Sequence, residues 1–450
     1  MQNGSIISWQ IIAWAFSKHN IREDEHVRVD KITVVGGGST YTPEFVDGFI
    51  QHRGRLSVGE IVLYDIDKDR LDLVGGFTSR MVEHAGLESL VTLTTDRPAA
   101  VEGANFIVSQ IRVGGMTARI RDEKIPLKHG VIGQETTGPG GTLKAWRTIP
   151  AVLDIARDVE RYAPNAWLLN FTNPSGIITE TLLKYTNLRS VGLCNNPINF
   201  VAAIAAVFEV SPEEVFLEWV GLNHVNWVRR VFVNGRDVTG AAIERVEVGG
   251  IPDYPFDARL VRMLGVLPTW YLQYYYHHDR KIAEALEADK TRGEVVAKVE
   301  EDLLKKYADP ELVTKPLELG MRGGARYSEA AIRLILSLVF DRRDVQIVDV
   351  LNDGAIEDLP GDGSVEVPCV IGAHGISPLH MGQLPDTIRS LCQTAKAWES
   401  WVVEAGVTGS RQAALMAMMT NPLVPSFDVA QALLEDMLEE NKEFLPQFFA

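Results

Sequence analysis

The sequence predicts an α/β fold: a doubly wound parallel sheet with a mixed α/β lobe appended. Three observations predict it. Short apolar runs alternate with amphipathic stretches from Lys31 to Asn195, the pattern of strands interleaved with covering helices. The first run feeds directly into a glycine turn, Gly36-Gly37-Gly38-Ser39-Thr40. The length of 450 residues and the apolar fraction of 46% suit a large core with a second lobe.

The elements follow in order. Apolar runs of strand length are KITVV (31–35), EIVLY (60–64), LVTLT (90–94), NFIVSQI (105–111), AWLLNF (166–171) and SVGLC (190–194). Continuous short runs of this kind suit strands covered on both faces. Between them, TIPAVLDIARDVERYA (148–163) has helical spacing. After Asn195 the chain turns mixed, with a strand pair over 225–239 that turns near Asn234-Gly235. From Ser426 a helix carries one apolar stripe, Val429, Ala430, Leu433, Leu434, Met437 and Leu438, suited to core or to a subunit contact. The resulting division is an N-terminal extension at 1–30, a nucleotide-binding unit at 31–195, and a mixed α/β substrate and oligomerisation lobe with C-terminal helices at 196–450.

Residues 6–16, IISWQIIAWAF, are apolar, but no Lys or Arg precedes them and no small-residue cleavage site follows. The run is too short to span a bilayer. It reads as an extension packed on the surface or at a subunit contact, or as a wrongly assigned start. The formal charge of −16 argues against nucleic acid or anionic membrane as the main partner. An anionic substrate then needs a locally basic pocket. Cys194, Cys369 and Cys392 are too few and too scattered for a disulfide framework, which points to a reducing cytoplasm.

Glycines let the backbone approach a pyrophosphate, which would then cap the helix that follows. Pro43 falls in the first turn of that helix, where its missing N–H does little harm. The second strand ends at Asp65, whose carboxylate can accept from both ribose hydroxyls and so favours NAD over NADP. Gly36, Gly38, Ser39, Thr40 and Asp65 are therefore the cofactor-binding candidates of a Rossmann-like unit. Tyr41 stands where the usual fingerprint has its third glycine. The order of strand, glycine turn, helix, strand and terminal acid carries the reading, not the glycines alone.

Ligand residues in such a sheet collect at the carboxyl ends of its strands. Arg112 follows the fourth run, Asn170 and Asn173 the fifth, Cys194 and Asn195 the sixth. The loop HGVIGQETTGPGG (129–141) adds Gln134 and Glu135. Taken singly, each has a plain structural explanation: a core cysteine, or an asparagine shaping a turn before proline. Placement at successive strand ends joins them. Cys194 and, thirty residues later, His224 offer a thiol and an imidazole. Two protein ligands leave coordination positions open to water or substrate beside a dinucleotide. That donor pair alone points to a soft ion such as Zn²⁺.

The strings GGGSTYTP, IRVGG, DEKIPLKHGVIGQETTGPGG, NFTNPSG, GLCNNP and GLNH, in this order, with RGGARYSEAA (322–331) and NPLVPS (421–426), resemble glycoside hydrolase family 4. The CNNP form resembles its 6-phospho-β-glucosidase branch. The resemblance runs from about Lys31 to the C-terminus. It implies an NAD- and Mn²⁺-dependent oxidation, elimination, addition and reduction, an exception to the two-carboxylate scheme of glycosidases. Hydride passes from the third carbon of the sugar to NAD⁺, a base removes the proton on the second carbon, and the aglycone leaves the first. Water adds and the hydride returns. The resemblance implies metal ligands Cys194 and His224, and it alone selects Tyr271 as the base, since LPTWYLQYYYHH (267–278) otherwise reads as core. It likewise implies Arg292 at the distal phosphate, where a guanidinium fork suits the anion, and Arg112, Asn170 and Asn173 near the substrate. Asn195 follows the metal cysteine where α-specific members tend to place Asp; an amide cannot donate a proton as a carboxylic acid does, which favours a β-linkage. Asn196 departs from the valine expected next. Family members are commonly dimers or tetramers, so a homodimer or homotetramer is expected.

Two other readings share parts of this pattern. An NAD-dependent hydroxy-acid dehydrogenase of the malate and lactate type shares the sheet, the glycine turn and a strand-ending Asn-Pro, but gives Cys194 no role and would release NADH. A non-catalytic nucleotide-binding sensor would need no metal.

Overall fold

The computed structural model describes residues 26–247, 249–251, 253–322 and 326–449; the apolar run at 6–16 lies outside them. Six parallel strands form the core of the main sheet: β1 (Val27–Val35), β2 (Leu56–Tyr64), β3 (Leu90–Thr94), β4 (Phe106–Ser109), β5 (Trp167–Asn170) and β6 (Arg189–Gly192). Each of the six apolar runs marks one of them. Residues 27–30 belong to β1, with Val27 paired to Leu56, so the sheet starts within the segment that the sequence assigns to the extension.

The order is β3-β2-β1-β4-β5-β6, so direction reverses between β1 and β4. Such a switch point opens a crevice at the carboxyl ends of the strands. The sheet does not stop at residue 195. Strands β11 (Asp344–Leu351), β12 (Ser364–Gly372) and β13 (Gly375–Pro378) continue it beyond β6, antiparallel, making nine strands. The sequence boundary misses this because β11 lies some 150 residues after β6, beyond the reach of local patterning.

A second, antiparallel sheet has the order β10-β8-β7, with β9 paired to β8. Its members are β7 (Val215–Leu222), β8 (Val225–Val233), β9 (Arg236–Asp237) and β10 (Leu267–Pro268). The β8–β9 turn is the expected two-residue hairpin: Asn234 and Gly235 both have positive φ, 50° and 73°, as a turn matched to strand twist requires. The C-terminal helix spans Phe427–Glu440. Ser426 caps it, and Ala430, Leu433, Leu434, Met437 and Leu438 are buried. Its stripe belongs to a core that also holds Trp146 and Trp398, not to an open face.

One polar cluster is buried with this apolar mass. Lys396, 1% exposed, donates to Glu180 at 2.7 Å and Glu399 at 2.6 Å. Removing one partner of such a group leaves uncompensated buried charge. Lys396→Met is expected to cost about 3–5 kcal/mol, read as a lowered denaturation midpoint. The triple variant that also carries Glu180→Gln and Glu399→Gln should recover most of it. Equal destabilisation of both variants would count against the pairing.

Candidate active site

The carboxyl ends of β1, β2, β4 and β5 open onto a cavity of about 930 Å³. At one end lies the glycine turn. Gly36 has φ +95°, and a Cβ there would lie 2.9 Å from the Gln110 carbonyl oxygen. A Cβ on Gly37 would lie 2.8 Å from that of Leu63, so the turn sits tightly on β2. The Gly38 N–H donates to Asp65 Oδ2 at 2.9 Å. Gly36, Gly38, Ser39 and Asp65 all line the cavity. Thr40 does not: it is fully buried, and its carbonyl accepts from the Tyr307 hydroxyl at 2.8 Å. The chain has already turned inward toward the helix Thr42–Gln51, and Tyr41 lines the cavity instead.

At the other end, Cys194 caps the helix Asn195–Phe208 and its Sγ accepts from the Asn196 N–H at 3.4 Å. Cys194 Sγ lies 3.6 Å from His224 Nε2. The Tyr271 ring stacks on the imidazole, 3.5 Å between centroids and 5° from parallel. His224 stands in the two-residue turn between β7 and β8 with φ +66°. Its neighbours hold that turn: Asn223 Nδ2 donates to Glu366 Oε1 at 2.9 Å, and Asn226 Nδ2 to Oε2 at 2.5 Å. Glu366 also accepts from Trp219 Nε1 at 2.8 Å.

Burial pushes the Cys194 thiol up, and the Glu366 charge adds to it. Burial, then Lys144, pulls His224 down to about 3. Tyr271 is pushed up by burial and by Cys194. All three sit in their neutral forms.

Between the two ends runs an ionic cluster that joins Arg112 and Glu135, both visible in the sequence, to Arg119 and Lys144, which are not. Glu135 accepts from Arg112 Nη1 at 2.6 Å and Lys144 Nζ at 2.9 Å, and pairs with Arg119 at 3.1 Å. Despite burial, these cations hold its carboxyl well below the ordinary value. Lys144, 3% exposed, is lowered by burial to about 7. Only Arg112 is visible as a strand-end residue; Lys144 sits inside the helix Gly138–Tyr162 with no local signal.

Asn173, Asn195 and Arg292 also line the cavity. Asn173 Oδ1 is buried, with the Tyr327 phenol beside its amide. Arg292 starts the helix Arg292–Tyr307 and donates to the Met321 carbonyl at 3.1 Å. Asn170, expected beside the substrate, is spent on the fold. Its Nδ2 faces the Thr172 and Ser175 carbonyls and Thr179 Oγ1, and its Oδ1 accepts from Thr172 N–H. It shapes the loop after β5 and does not line the cavity.

The described residues contain no group of three or more His, Cys, Asp and Glu placed to hold a metal ion, so Cys194 and His224 stand as a pair. Residues 31–210 match the model of the family 4 glycosyl hydrolases, and residues 219–424 match that of the family's C-terminal domain. The chain belongs to glycosyl hydrolase family 4. A Bacillus subtilis relative named a probable 6-phospho-β-glucosidase is 46% identical over 93% of this chain and 98% of its own length. The solved structure of the Thermotoga maritima 6-phospho-β-glucosidase with manganese, NAD⁺ and glucose-6-phosphate is 37% identical. It matches with a TM-score of 0.86 over 92% of this chain and 99% of that one. A malate dehydrogenase from Plasmodium falciparum, 15% identical with a TM-score of 0.54 over 84% of this chain and 98% of its own, shares the fold alone.

The state of His224 has a measurable consequence. In protein stripped of divalent ions, the unfolded chain takes up a proton there near 6.5 and the folded ring only near 3. Stability from this group is therefore complete above about pH 6.5 and falls by about 1.4 kcal/mol per unit as pH drops toward 3. His224→Gln should flatten this part of the melting profile between pH 6.5 and 5. An unchanged slope would contradict the buried neutral ring.

Proposed function

We propose that the chain hydrolyses 6-phospho-β-glucosides, using NAD and a divalent ion, Mn²⁺. The observation that carries this is that His224 and Tyr271 line the same cavity as the glycine turn, with Cys194 Sγ 3.6 Å behind the imidazole Nε2. Membership of family 4 and the names of the relatives support the reaction class.

The residues present fit both groups. Cys194 Sγ and His224 Nε2 lie 3.6 Å apart, close enough for both to hold one ion. The imidazole is neutral, so its lone pair is available. Oxygen donors from the sugar would complete a site that two protein ligands leave open, which reconciles a thiol ligand with a harder ion. At the other end the crowding at Gly36 and Gly37 leaves no room for side chains where a pyrophosphate would approach. Gly36, Gly38, Ser39 and Asp65 would hold NAD. When bound, NAD supplies a hydride acceptor, and the divalent ion supplies Lewis-acid stabilisation of the anion next to the carbonyl.

The chain's own groups do the rest. Tyr271 Oη takes the proton from the second sugar carbon, a role that needs its raised phenol brought down by positive charge. Asn173 Oδ1 offers an acceptor to a sugar hydroxyl. Arg292 gives the phosphate a fork of donors. Asn195 offers no acidic proton to the leaving group, which suits a β-linked substrate whose departure is driven by elimination. The hydroxy-acid dehydrogenase alternative rests on shared fold alone, and it leaves Cys194 and Tyr271 without work. The three free, buried cysteines support a reducing cytoplasm. No helix among the described residues is long and apolar enough to cross a membrane. A homodimer or homotetramer is the assembly that family membership supports.

The deciding assay is hydrolysis of a chromogenic β-glucoside 6-phosphate by metal-free protein, with NAD⁺ and Mn²⁺ added separately and then together. Turnover is expected only with both, without accumulated NADH. Cys194→Ala should abolish it, and Tyr271→Phe should lower kcat by about 10²–10⁴. Absence of hydrolysis together with NADH formation from a hydroxy acid would move the chain to the dehydrogenases.

A further inference from the structure

His224 lines a second, small cavity of about 10 Å³, along with Thr137, Asn223, Tyr275 and Glu399. Three buried polar atoms of its lining residues have no partner among the described residues: His224 Nδ1, Thr137 Oγ1 and Tyr275 OH. His224 is 3% exposed and Thr137 1%. Thr137 occupies the N-cap of the helix Gly138–Tyr162, yet its hydroxyl makes no capping bond, which sets it apart from the usual N-cap threonine. Glu399 brings a carboxylate whose Oε2 takes the Lys396 ammonium at 2.6 Å, and its charge reaches the Tyr275 phenol.

Polar groups buried in this way are satisfied by protein or by ordered water. The cavity measures about one water-sized sphere, and a buried water makes about three hydrogen bonds. We propose that this cavity is a binding site for one ordered water that accepts from His224 Nδ1–H and links the ring to Thr137, Tyr275 and Glu399. These three are then positioning residues for the imidazole. With the proton fixed on Nδ1, the lone pair of Nε2 faces Cys194 Sγ. This is the same constraint that a carboxylate or carbonyl imposes on other ligating histidines. The inference rests on the proposed function only in taking Nε2 as the ion's ligand.

The test has two arms. A crystal structure of the wild-type protein should show one water within about 3 Å of Nδ1, Thr137 Oγ1 and Tyr275 OH, and ¹⁵N spectra of the ion-free protein should show His224 as the Nδ1–H tautomer. Binding of Mn²⁺, followed by the resonance of the free ion, should weaken about tenfold in Thr137→Val and further in Thr137→Val/Tyr275→Phe. Thr137→Ser should restore it, and NAD affinity should stay within about twofold. A dry cavity, an Nε2–H tautomer, or wild-type Mn²⁺ affinity in the double variant would overturn the proposal. A wild-type protein that binds no Mn²⁺ would overturn the functional reading instead, and the density and the tautomer would then decide the water site by themselves.

Discussion

The Glu366 carboxylate is the tie on which the geometry of the site depends. Cys194 hangs from the end of β6 in the nine-stranded sheet, whereas His224 sits in the β7–β8 turn of the other sheet. Their 3.6 Å separation is set by how the two sheets are fastened. From Cys194 the connection runs through β6 to β11, where Asp349 pairs with Gly192, and on to β12. There Glu366 receives Trp219, Asn223 and Asn226 from the second sheet. Three donors on one buried carboxylate fix position more tightly than apolar packing, because each has a preferred distance and direction. Burial and the neighbouring Asp349 push Glu366 well above the ordinary carboxylate range, and what charge it carries acts on the thiol in the same direction as burial.

Charge is distributed against the average of the molecule. The chain carries −16, yet seven Lys and Arg side chains and only four carboxylates line the large cavity. The sequence demanded such a pocket for an anionic substrate, and the fold supplies it from segments far apart: Arg70 and Arg97 from the nucleotide half, Arg292 and Arg322 from the other lobe. Glu300 holds Arg70 and Arg322, Glu135 holds Arg112, Arg119 and Lys144, and Arg97 pairs with Asp158. On the proposed reading, a phosphate at Arg292 meets a guanidinium already held by the Met321 carbonyl, so less side-chain freedom is lost on binding.

What the sequence discloses follows from the range of each signal. All six parallel strands, the glycine turn, Asp65 and the Asn234-Gly235 hairpin are local patterns, readable over a few residues. The strand-end argument placed Arg112, Asn173 and Asn195, which line the cavity, and Cys194, which lies behind His224 without lining it. It also selected Asn170, because an asparagine that shapes its own loop and one that faces a ligand look alike in sequence. Tyr271 came only from resemblance, since YLQYYYHH has the composition of core. Lys144, Glu366 and Glu399 had no signal at all: each is a charged residue inside a regular element, and only tertiary pairing distinguishes it from a solvated face. The same holds for β11–β13, whose place beside β6 depends on contacts across some 150 residues.

Desolvation gives the Cys194–His224–Tyr271 end of the site its character. Burial pushes the Cys194 thiol and the Tyr271 phenol up and the His224 imidazole down. These are opposite directions in pKa and one direction in charge, toward neutrality. Ionising the thiol or the phenol here needs positive charge within a few ångströms, and the cavity cations Arg112, Arg119 and Lys144 are committed to Glu135. The chain therefore does not activate these groups by itself. On the proposed reading, ion capture and thiol deprotonation are one event, since the ligand form is the thiolate. The same arriving charge brings the phenol within range of use as a base. A tyrosine can serve in this position because the charge that activates it comes with the ion, and no neighbouring lysine or histidine has to be sacrificed to lower its pKa.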